Sequence, residues 1–147
     1  MLYLEDLYTG QLFTSPTHTI TADEIVAFAK QFDPQPFHLD AKLARSTHFG
    51  ELVASGWHTA ALSMRLMLDS DLKVAGGLFG NGGELHWPQP TRPGDELRVE
   101  IEILEVRPSR THPDRGIARF RAETRNQRQD TVQTFEAMLV VQRRPTK

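Results

Sequence analysis

The sequence contains no cysteine and no apolar stretch long enough to cross a membrane. The missing cysteines exclude disulfides, zinc sites built from thiolates and cysteine nucleophiles. The longest apolar run, residues 59–68, is interrupted by Arg65, whereas a membrane span needs roughly 18 apolar residues in succession. The amino terminus carries Glu5 and Asp6 where a signal peptide would have an apolar core. We therefore expect a cytoplasmic protein with no membrane partner.

The sequence also lacks an excess of basic charge. Its 17 lysines and arginines are balanced by 19 acidic residues, which gives a net charge of −2. Proteins that bind phosphate backbones usually present a basic field, so we expect no nucleic-acid partner. The 6 histidines form no compact group with acidic residues, and we therefore predict no metal and no cofactor. A chain of 147 residues that is 39% apolar and 24% charged suits one folded domain over 1–147.

The first half of the chain shows one strand pattern followed by short helix patterns. Thr21 and Glu24 have the spacing of a capping box, and apolar residues then recur at helical intervals. Pro34 disfavours helix at the residue before it, and Asp40 is a suitable N-cap for another helix. The sequence predicts a strand over 11–20, a helix over 22–32, a loop over 33–39 and a helix over 41–46.

The second half contains one apolar helix pattern and several strands. Apolar side chains cover most of the circumference of 55–69, which predicts a buried central helix. Strands are predicted from 84, over 97–103, over 117–124 and over 131–142, and the glycines of 76–83 predict turns or bulges. A curved antiparallel sheet wrapped around the helix satisfies this order, which is the α+β hot-dog arrangement. Such a sheet has an exposed edge, so we expect a homodimer or a dimer of dimers.

Asp33 and His38 are the candidates for acid–base chemistry. They are five positions apart on a segment that Pro34 and Pro36 stiffen. A carboxylate beside an imidazole can hold and activate one water molecule. The alternative is structural: Asp33 only ends a helix, and His38 only packs.

Ser55 and Gly56 form the second candidate element. Serine is a good N-cap, and the first amides of a helix have no partner within it and carry partial positive charge. The amide of Gly56, with no side chain in front of it, can therefore stabilise an oxyanion. An ordinary capped helix is the alternative. Ser55 is not predicted to be a nucleophile, because no glycine stands two positions before it.

Two further groups have simpler interpretations. His58, on the central helix, is predicted to be a packed and hydrogen-bonded histidine. The arginines of 117–125 alternate along a strand and are predicted to lie on its solvent face. Contact with the phosphates of a carrier such as coenzyme A is the alternative for them.

Three motifs in this order resemble one known family. They are Asp33-Pro34-Gln35-Pro36-Phe37-His38 followed by Phe49, then Val53-Ala54-Ser55-Gly56-Trp57, and then the turn from Trp87 to Pro93-Gly94-Asp95. Over about residues 10–142 the chain resembles the MaoC-like dehydratases and (R)-specific enoyl-CoA hydratases. The resemblance implies a hot-dog fold, a dimer, and a hydro-lyase acting between trans-2-enoyl and (R)-3-hydroxyacyl thioesters. Coenzyme A would then be part of the substrate.

The resemblance also implies roles for individual residues. Asp33 and His38 would activate the water that adds at C3 and return a proton to C2. Ser55, Gly56 and Trp57 would bind the thioester, with the amide of Gly56 on its oxygen.

The acyl pocket is assigned to Phe37 and Phe49. Gln35 and Phe37 stand where family members often have asparagine and an aliphatic residue, and Ser55 replaces a frequent histidine. These departures leave the acyl group open, and the carrier can be coenzyme A or a carrier protein. A thioesterase on the same fold, and a non-catalytic binder of acyl thioesters, remain alternatives.

Overall fold

Residues 1–146, which the computed structural model describes, form an antiparallel sheet with helices on one side of it. The strands run in the order β1-β4-β5-β6-β3, and β2 pairs with β4 beside β1. A turn of 3-10 helix, Leu4–Asp6, precedes them. The helices are α1 (Ala22–Phe32), α2 (Pro36–Leu39), α3 (Ala41–Ala44) and α4 (Gly56–Asp69). The strands are β1 (Leu12–Thr14), β2 (His18–Thr19), β3 (Phe79–His86), β4 (Glu96–Pro108), β5 (Arg115–Arg125) and β6 (Thr131–Gln142).

The core lies between the inner face of the sheet and α4. Successive side chains of a strand point to opposite faces, and Leu97, Val99, Ile101 and Ile103 of β4 are all fully buried. Each such side chain contributes about 1.5–3 kcal/mol when it leaves water. The strands predicted over 97–103 and 117–124 are confirmed and extend further at both ends, and the strand over 131–142 is confirmed with its bounds.

The helix predicted over 55–69 is present, but the prediction that it is buried all round is wrong for the single chain. Its inner face carries the buried residues His58, Thr59, Ser63, Leu66 and Met67. Its other side exposes Trp57 by 61%, Met64 by 41% and Leu68 by 46%. With the exposed Ala61, these residues recur at helical spacing, and we call them the outer stripe of α4.

The strand predicted over 11–20 is divided into β1 and β2. Ser15 and Pro16 lie between them, and proline has no amide to donate. The amide of Ser15 donates to the carbonyl of Val99, while the amide of Val99 donates to the hydroxyl of Ser15 at 2.8 Å. A side-chain oxygen thus replaces a strand carbonyl at this point.

The helix over 22–32 is confirmed, with its N-cap. The hydroxyl of Thr21 accepts from the amide of Glu24 at 3.1 Å. The carboxylate of Glu24 also lies 2.8 Å from Nε2 of His18, so this acidic side chain links the start of α1 to β2.

Residues 33–39 were predicted to be a loop, and this is wrong for their second half. Pro36 begins α2, because its fixed φ suits the first position of a helix. Helix α3 begins after its N-cap Asp40 as predicted and ends at Ala44, two residues early. Strand β3 begins at Phe79, ahead of the predicted 84, and contains Gly80 to Gly83 with a register shift between them.

The Pro93-Gly94-Asp95 turn ties β4 to the segment that leads into α1. Gly94 has a φ of +86°, a conformation that glycine adopts without strain, and its amide donates to Ile20 at 2.7 Å. The buried carboxylate of Asp95 accepts from the amide of Arg92 at 2.9 Å and from Gln127 at 3.2 Å.

The two ends of the described chain meet at the surface. Arg143 lies 3.0 Å from Glu5, and Arg144 lies 2.6 Å from Asp6. No helix among residues 1–146 is both long and apolar enough to cross a membrane.

Candidate active site

Asp33 and His38 come together where α1 ends and α2 begins. Asp33 is the C-cap of α1, and His38 lies on the single turn of α2 that Pro36 opens. Their side chains approach with Oδ2 of Asp33 3.3 Å from Nε2 of His38. The side-chain amide of Gln35 donates to the other carboxylate oxygen, Oδ1, at 2.6 Å. The carboxylate is therefore held from two directions.

The imidazole of His38 is anchored on the segment before α4. Nδ1 lies 2.7 Å from the carbonyl oxygen of Val53. A carbonyl only accepts, so Nδ1 carries the proton of this hydrogen bond and Nε2 is left facing Asp33. The amide of Val53 donates in return to the carbonyl of Phe37 at 3.0 Å. This pair of bonds fixes α2 against the chain that leads to Ser55.

The carboxyl group of Asp33 is ionised over the neutral range. Burial by itself raises the pKa of Asp33, but the hydrogen bonds from Ser55 and Gln35 and the charge of His38 outweigh it. Together they hold that pKa below its usual range. Asp33 is thus available as a proton acceptor.

The start of α4 has the geometry that its sequence predicts. The hydroxyl of Ser55 accepts from the amide of Trp57 at 3.2 Å, so the amide of Trp57 is used by the cap. Gly56 is the first helical residue, and its amide has no partner within the helix. The amide of Ala54, two residues before Gly56, donates to the carbonyl of Thr91 at 2.9 Å.

A cavity of about 360 Å³ brings these elements together. We call it the catalytic cavity, after the role that we propose for it under Proposed function. Its walls include His38 from α2, Gly56 and Thr59 from α4, and Phe49 and Trp87 from flanking segments.

The remaining predicted site residues lie around this cavity. Asp33 and Ser55 stand behind its lining, each beside a residue that lines it. Phe37 packs edge-on against His38, with ring centroids 4.5 Å apart. Its ring also contacts that of Phe49 in a tilted arrangement, with centroids 5.2 Å apart. The side chain of Trp57 points outward and meets Trp87 edge-on at 5.2 Å.

His58 is packed as predicted, but its hydrogen bonding is incomplete. Its ring stacks on Phe28 with centroids 4.6 Å apart, and its buried Nδ1 has no hydrogen-bond partner within residues 1–146. Burial lowers the pKa of His58; Glu24 opposes this and His18 adds to it.

The arginines of β5 lie on the outer face of the sheet in ion pairs. Arg125 lies 3.1 Å from Glu100 and 2.7 Å from Glu123, and Arg119 pairs with Glu136. Of the residues that the structure describes, no three acidic or histidine side chains are grouped closely enough to hold a metal ion.

Comparisons with known proteins identify the family of this chain. The family model of the MaoC-like domain matches residues 8–125. The chain belongs to the MaoC-like dehydratase family. The family resemblance and the hot-dog fold predicted from the sequence are therefore confirmed.

Individual relatives support the same family. The chain is 53% identical to a MaoC-like dehydratase from Rhodospirillum rubrum, whose crystal structure superimposes on it with a TM-score of 0.96. The match covers 99% of this chain and 100% of that one. It is 32% identical over 145 residues to the uncharacterized protein YdeM of Bacillus subtilis, covering 94% of this chain and 96% of that one. It is 33% identical over 111 residues to the 3-hydroxybutyryl-CoA dehydratase of Methylorubrum extorquens, covering 75% of this chain and 69% of that one.

Reasoning from sequence missed two features of this MaoC-like site. In the sequence Gln35 stands out only as a departure from asparagine, although its amide contacts the carboxylate of Asp33. Trp87 stands out only as the start of a turn, although its ring lies against Gly56. The spacing of two residues from Asp33 to Gln35 could have indicated the contact between their side chains. Trp87 is 31 positions from Gly56, and no local pattern connects them.

Proposed function

We propose that this MaoC-like protein is a hydro-lyase that adds water to a trans-2-enoyl thioester, or removes it from an (R)-3-hydroxyacyl thioester. The observation that carries the proposal is the contact of 3.3 Å between Asp33 and His38 beside a cavity that Gly56 also lines. An acid–base pair and a helix amide with no partner in its own helix, both at one cavity, are the two groups that this reaction needs.

In the proposed mechanism, the pair of Asp33 and His38 holds one water molecule. As the water oxygen bonds to C3 of the enoyl group, the pair takes one proton from it and returns a proton to C2. The electrons of the double bond pass through C2 toward the thioester carbonyl, whose oxygen becomes negative. The amide of Gly56 donates to that oxygen, where the partial positive charge of the helix start favours negative charge.

The carrier in this proposal is coenzyme A. The dehydratase of Methylorubrum extorquens is named for a coenzyme A thioester, and this supports the same carrier here. The thioester is the substrate, and the mechanism uses no further cofactor. We propose one hot-dog domain over 1–147 as the unit that pairs with a second copy.

The test is an assay of crotonyl-CoA hydration, in which the loss of the absorbance of the enoyl thioester measures the rate. Asp33→Asn and His38→Ala are each expected to lower kcat by about 10²–10⁴-fold, which is the usual contribution of one acid–base group. Asp114→Asn and His112→Ala are matched controls, because both residues are exposed in the turn between β4 and β5. Undiminished hydration by both site variants would exclude the assigned roles.

The same preparation distinguishes the alternatives. A thioesterase would release free thiol from acyl-CoA without hydrating the double bond, and a thiol reagent detects that release. Tight acyl-CoA binding without turnover of any enoyl or 3-hydroxyacyl thioester would indicate a non-catalytic binder.

A further inference from the structure

A second cavity lies one helical turn beyond the catalytic cavity. Gly56 and Thr59 of α4 line the catalytic cavity, and Ala60 and Ser63, on the next turn, line the second. Its volume is about 150 Å³, and its other walls include Leu85 of β3 and Phe135 of β6. An apolar cavity of about this volume accepts a molecule the size of benzene, or roughly six carbon atoms.

Trp87 and Gln133 connect the walls of the two cavities. Trp87 lines the catalytic cavity and Gln133 lines the second. The indole nitrogen of Trp87 donates to Oε1 of Gln133 at 3.0 Å, and Gln133 is only 3% exposed. This hydrogen bond joins Trp87, the residue after β3, to β6 and links the walls of the two cavities.

The indole ring is also held against the start of α4. A Cβ atom placed on Gly56 would lie 2.7 Å from two ring carbons of Trp87, so the ring occupies the space that a side chain there would fill. Trp57 contacts the ring edge-on from outside. The ring is thus fixed by a hydrogen bond, by Gly56 and by a second tryptophan.

We propose that Trp87, held by Gln133, is the residue that limits the length of the acyl chain, so that the protein takes short-chain acyl thioesters. The inference rests on the proposed function, because it assigns the acyl group to the catalytic cavity. We expect removal of the indole to open the catalytic cavity toward the second one and to admit about four further carbons of an octenoyl chain. Each methylene that enters an apolar space favours binding about fourfold.

The test compares kcat/KM for trans-2-enoyl-CoA of four, six, eight and ten carbons in the wild type and in Trp87→Leu. We expect the wild type to prefer four carbons, and the ratio of eight- to four-carbon activity to rise at least tenfold in Trp87→Leu. Ala60→Leu added to that variant narrows the second cavity and is expected to reverse the gain. Trp87→Met is a second variant that replaces the rigid ring with a flexible chain, and the same ratio should rise.

The result that overturns the proposal is a ratio unchanged by both Trp87 variants, or a wild type that already prefers eight carbons. Calorimetric binding of butyryl-CoA and octanoyl-CoA provides a readout that needs no catalysis. If the wild type hydrates nothing and Trp87→Leu still gains at least tenfold in affinity for octanoyl-CoA, the hydro-lyase proposal fails and the chain-length proposal holds. If the wild type hydrates crotonyl-CoA and both variants keep its profile, the chain-length proposal fails alone.

Discussion

The carboxylate of Asp33 is positioned by a glutamine as well as by the histidine opposite it. Gln35 donates to Oδ1 at 2.6 Å, and this bond helps to keep the pKa of Asp33 below its usual range. An acid whose pKa is lowered is deprotonated over a wider range of pH. Asp33, the proton acceptor in the proposed mechanism, is therefore ionised well below neutral pH.

We expect Gln35→Ala to lower kcat for crotonyl-CoA by about tenfold or more and to change KM less. The reason is that a small misplacement of a reacting group lowers the rate steeply. The loss of the donor raises the pKa of Asp33, so the acid limb of the kcat/KM profile should move to higher pH. Gln35→Asn, which keeps an amide, should recover part of both effects. A Gln35→Ala profile with an unmoved acid limb would show that the glutamine does not act on Asp33.

His58 makes folding stability depend on pH. Because burial lowers its pKa in the folded chain, the unfolded chain binds a proton more readily than the folded one. The stability that the neutral form of His58 contributes is fully present above the pKa of histidine in the unfolded chain, about 6.5. It is lost as the pH falls below that value.

We expect the free energy of unfolding in urea to fall between pH 7.5 and pH 5.5 in the wild type, and to fall less in His58→Leu. The leucine also removes the buried nitrogen that has no hydrogen-bond partner among residues 1–146. His112→Leu, at an exposed position, should keep the wild-type pH dependence. Equal losses in the wild type and His58→Leu would assign the pH dependence to other groups.

At the scale of elements, helix propensity and packing favour different residues at position 56, where α4 begins. Alanine is favoured over glycine within a helix by about 1 kcal/mol. At Gly56 the added methyl group would lie 2.7 Å from the ring of Trp87, and overpacking of this kind costs about 1–3 kcal/mol. Packing therefore outweighs propensity at this position.

Gly56→Ala is expected to lower the thermal midpoint of the wild type and to reduce hydration, because the ring must move. In the Trp87→Leu background the same substitution should be neutral or slightly stabilising, since the ring is absent. Calorimetry on the four proteins of this cycle measures the coupling directly. A loss of the same size in both backgrounds would place the strain elsewhere.

Local patterns in the sequence predicted the elements that local forces determine. The N-caps Thr21 and Ser55 depend on hydrogen bonds two or three residues away, and the alternation of β4 and β5 reflects one buried face. The break between β1 and β2 depends on Ser15 bonding to Val99, 84 positions away. Such contacts have no local signature.

The candidate site divides in the same way. Asp33, His38 and Gly56 carry a recognisable motif, and the approach of Asp33 to His38 follows from a short stretch of chain. The contact of Trp87 with Gly56 arises only when the segment that follows β3 is placed beside α4. The sequence also did not predict that the outer stripe of α4 is exposed, because an apolar residue looks the same in sequence whether it faces a core or a partner.

At the scale of the whole molecule, two features of the chain are exposed. Strand β3 is the edge of the sheet after β6, so one side of its backbone is free to pair. The outer stripe of α4 exposes Trp57, Met64 and Leu68. Apolar surface of this kind marks interaction sites.

We expect light scattering to give at least twice the chain mass of 16.7 kDa, and Leu68→Glu to shift the protein toward the monomer, because a charge would be buried in the contact. Leu43→Glu is a matched control, since Leu43 is an exposed leucine on α3. A wild type that remains monomeric at high concentration would remove the basis for pairing.

The ion pairs of Glu5 with Arg143 and of Asp6 with Arg144 place the beginning and the end of the described chain side by side. The two ends are therefore close enough for a circular permutation to be built. A short linker would join the ends, and new ends would be cut at the exposed turn between Thr111 and His112. This cut severs none of the segments that carry Asp33, His38, Gly56 or Trp87. We expect such a permutant to unfold cooperatively and to hydrate crotonyl-CoA, and circular dichroism with the hydration assay would show whether it does.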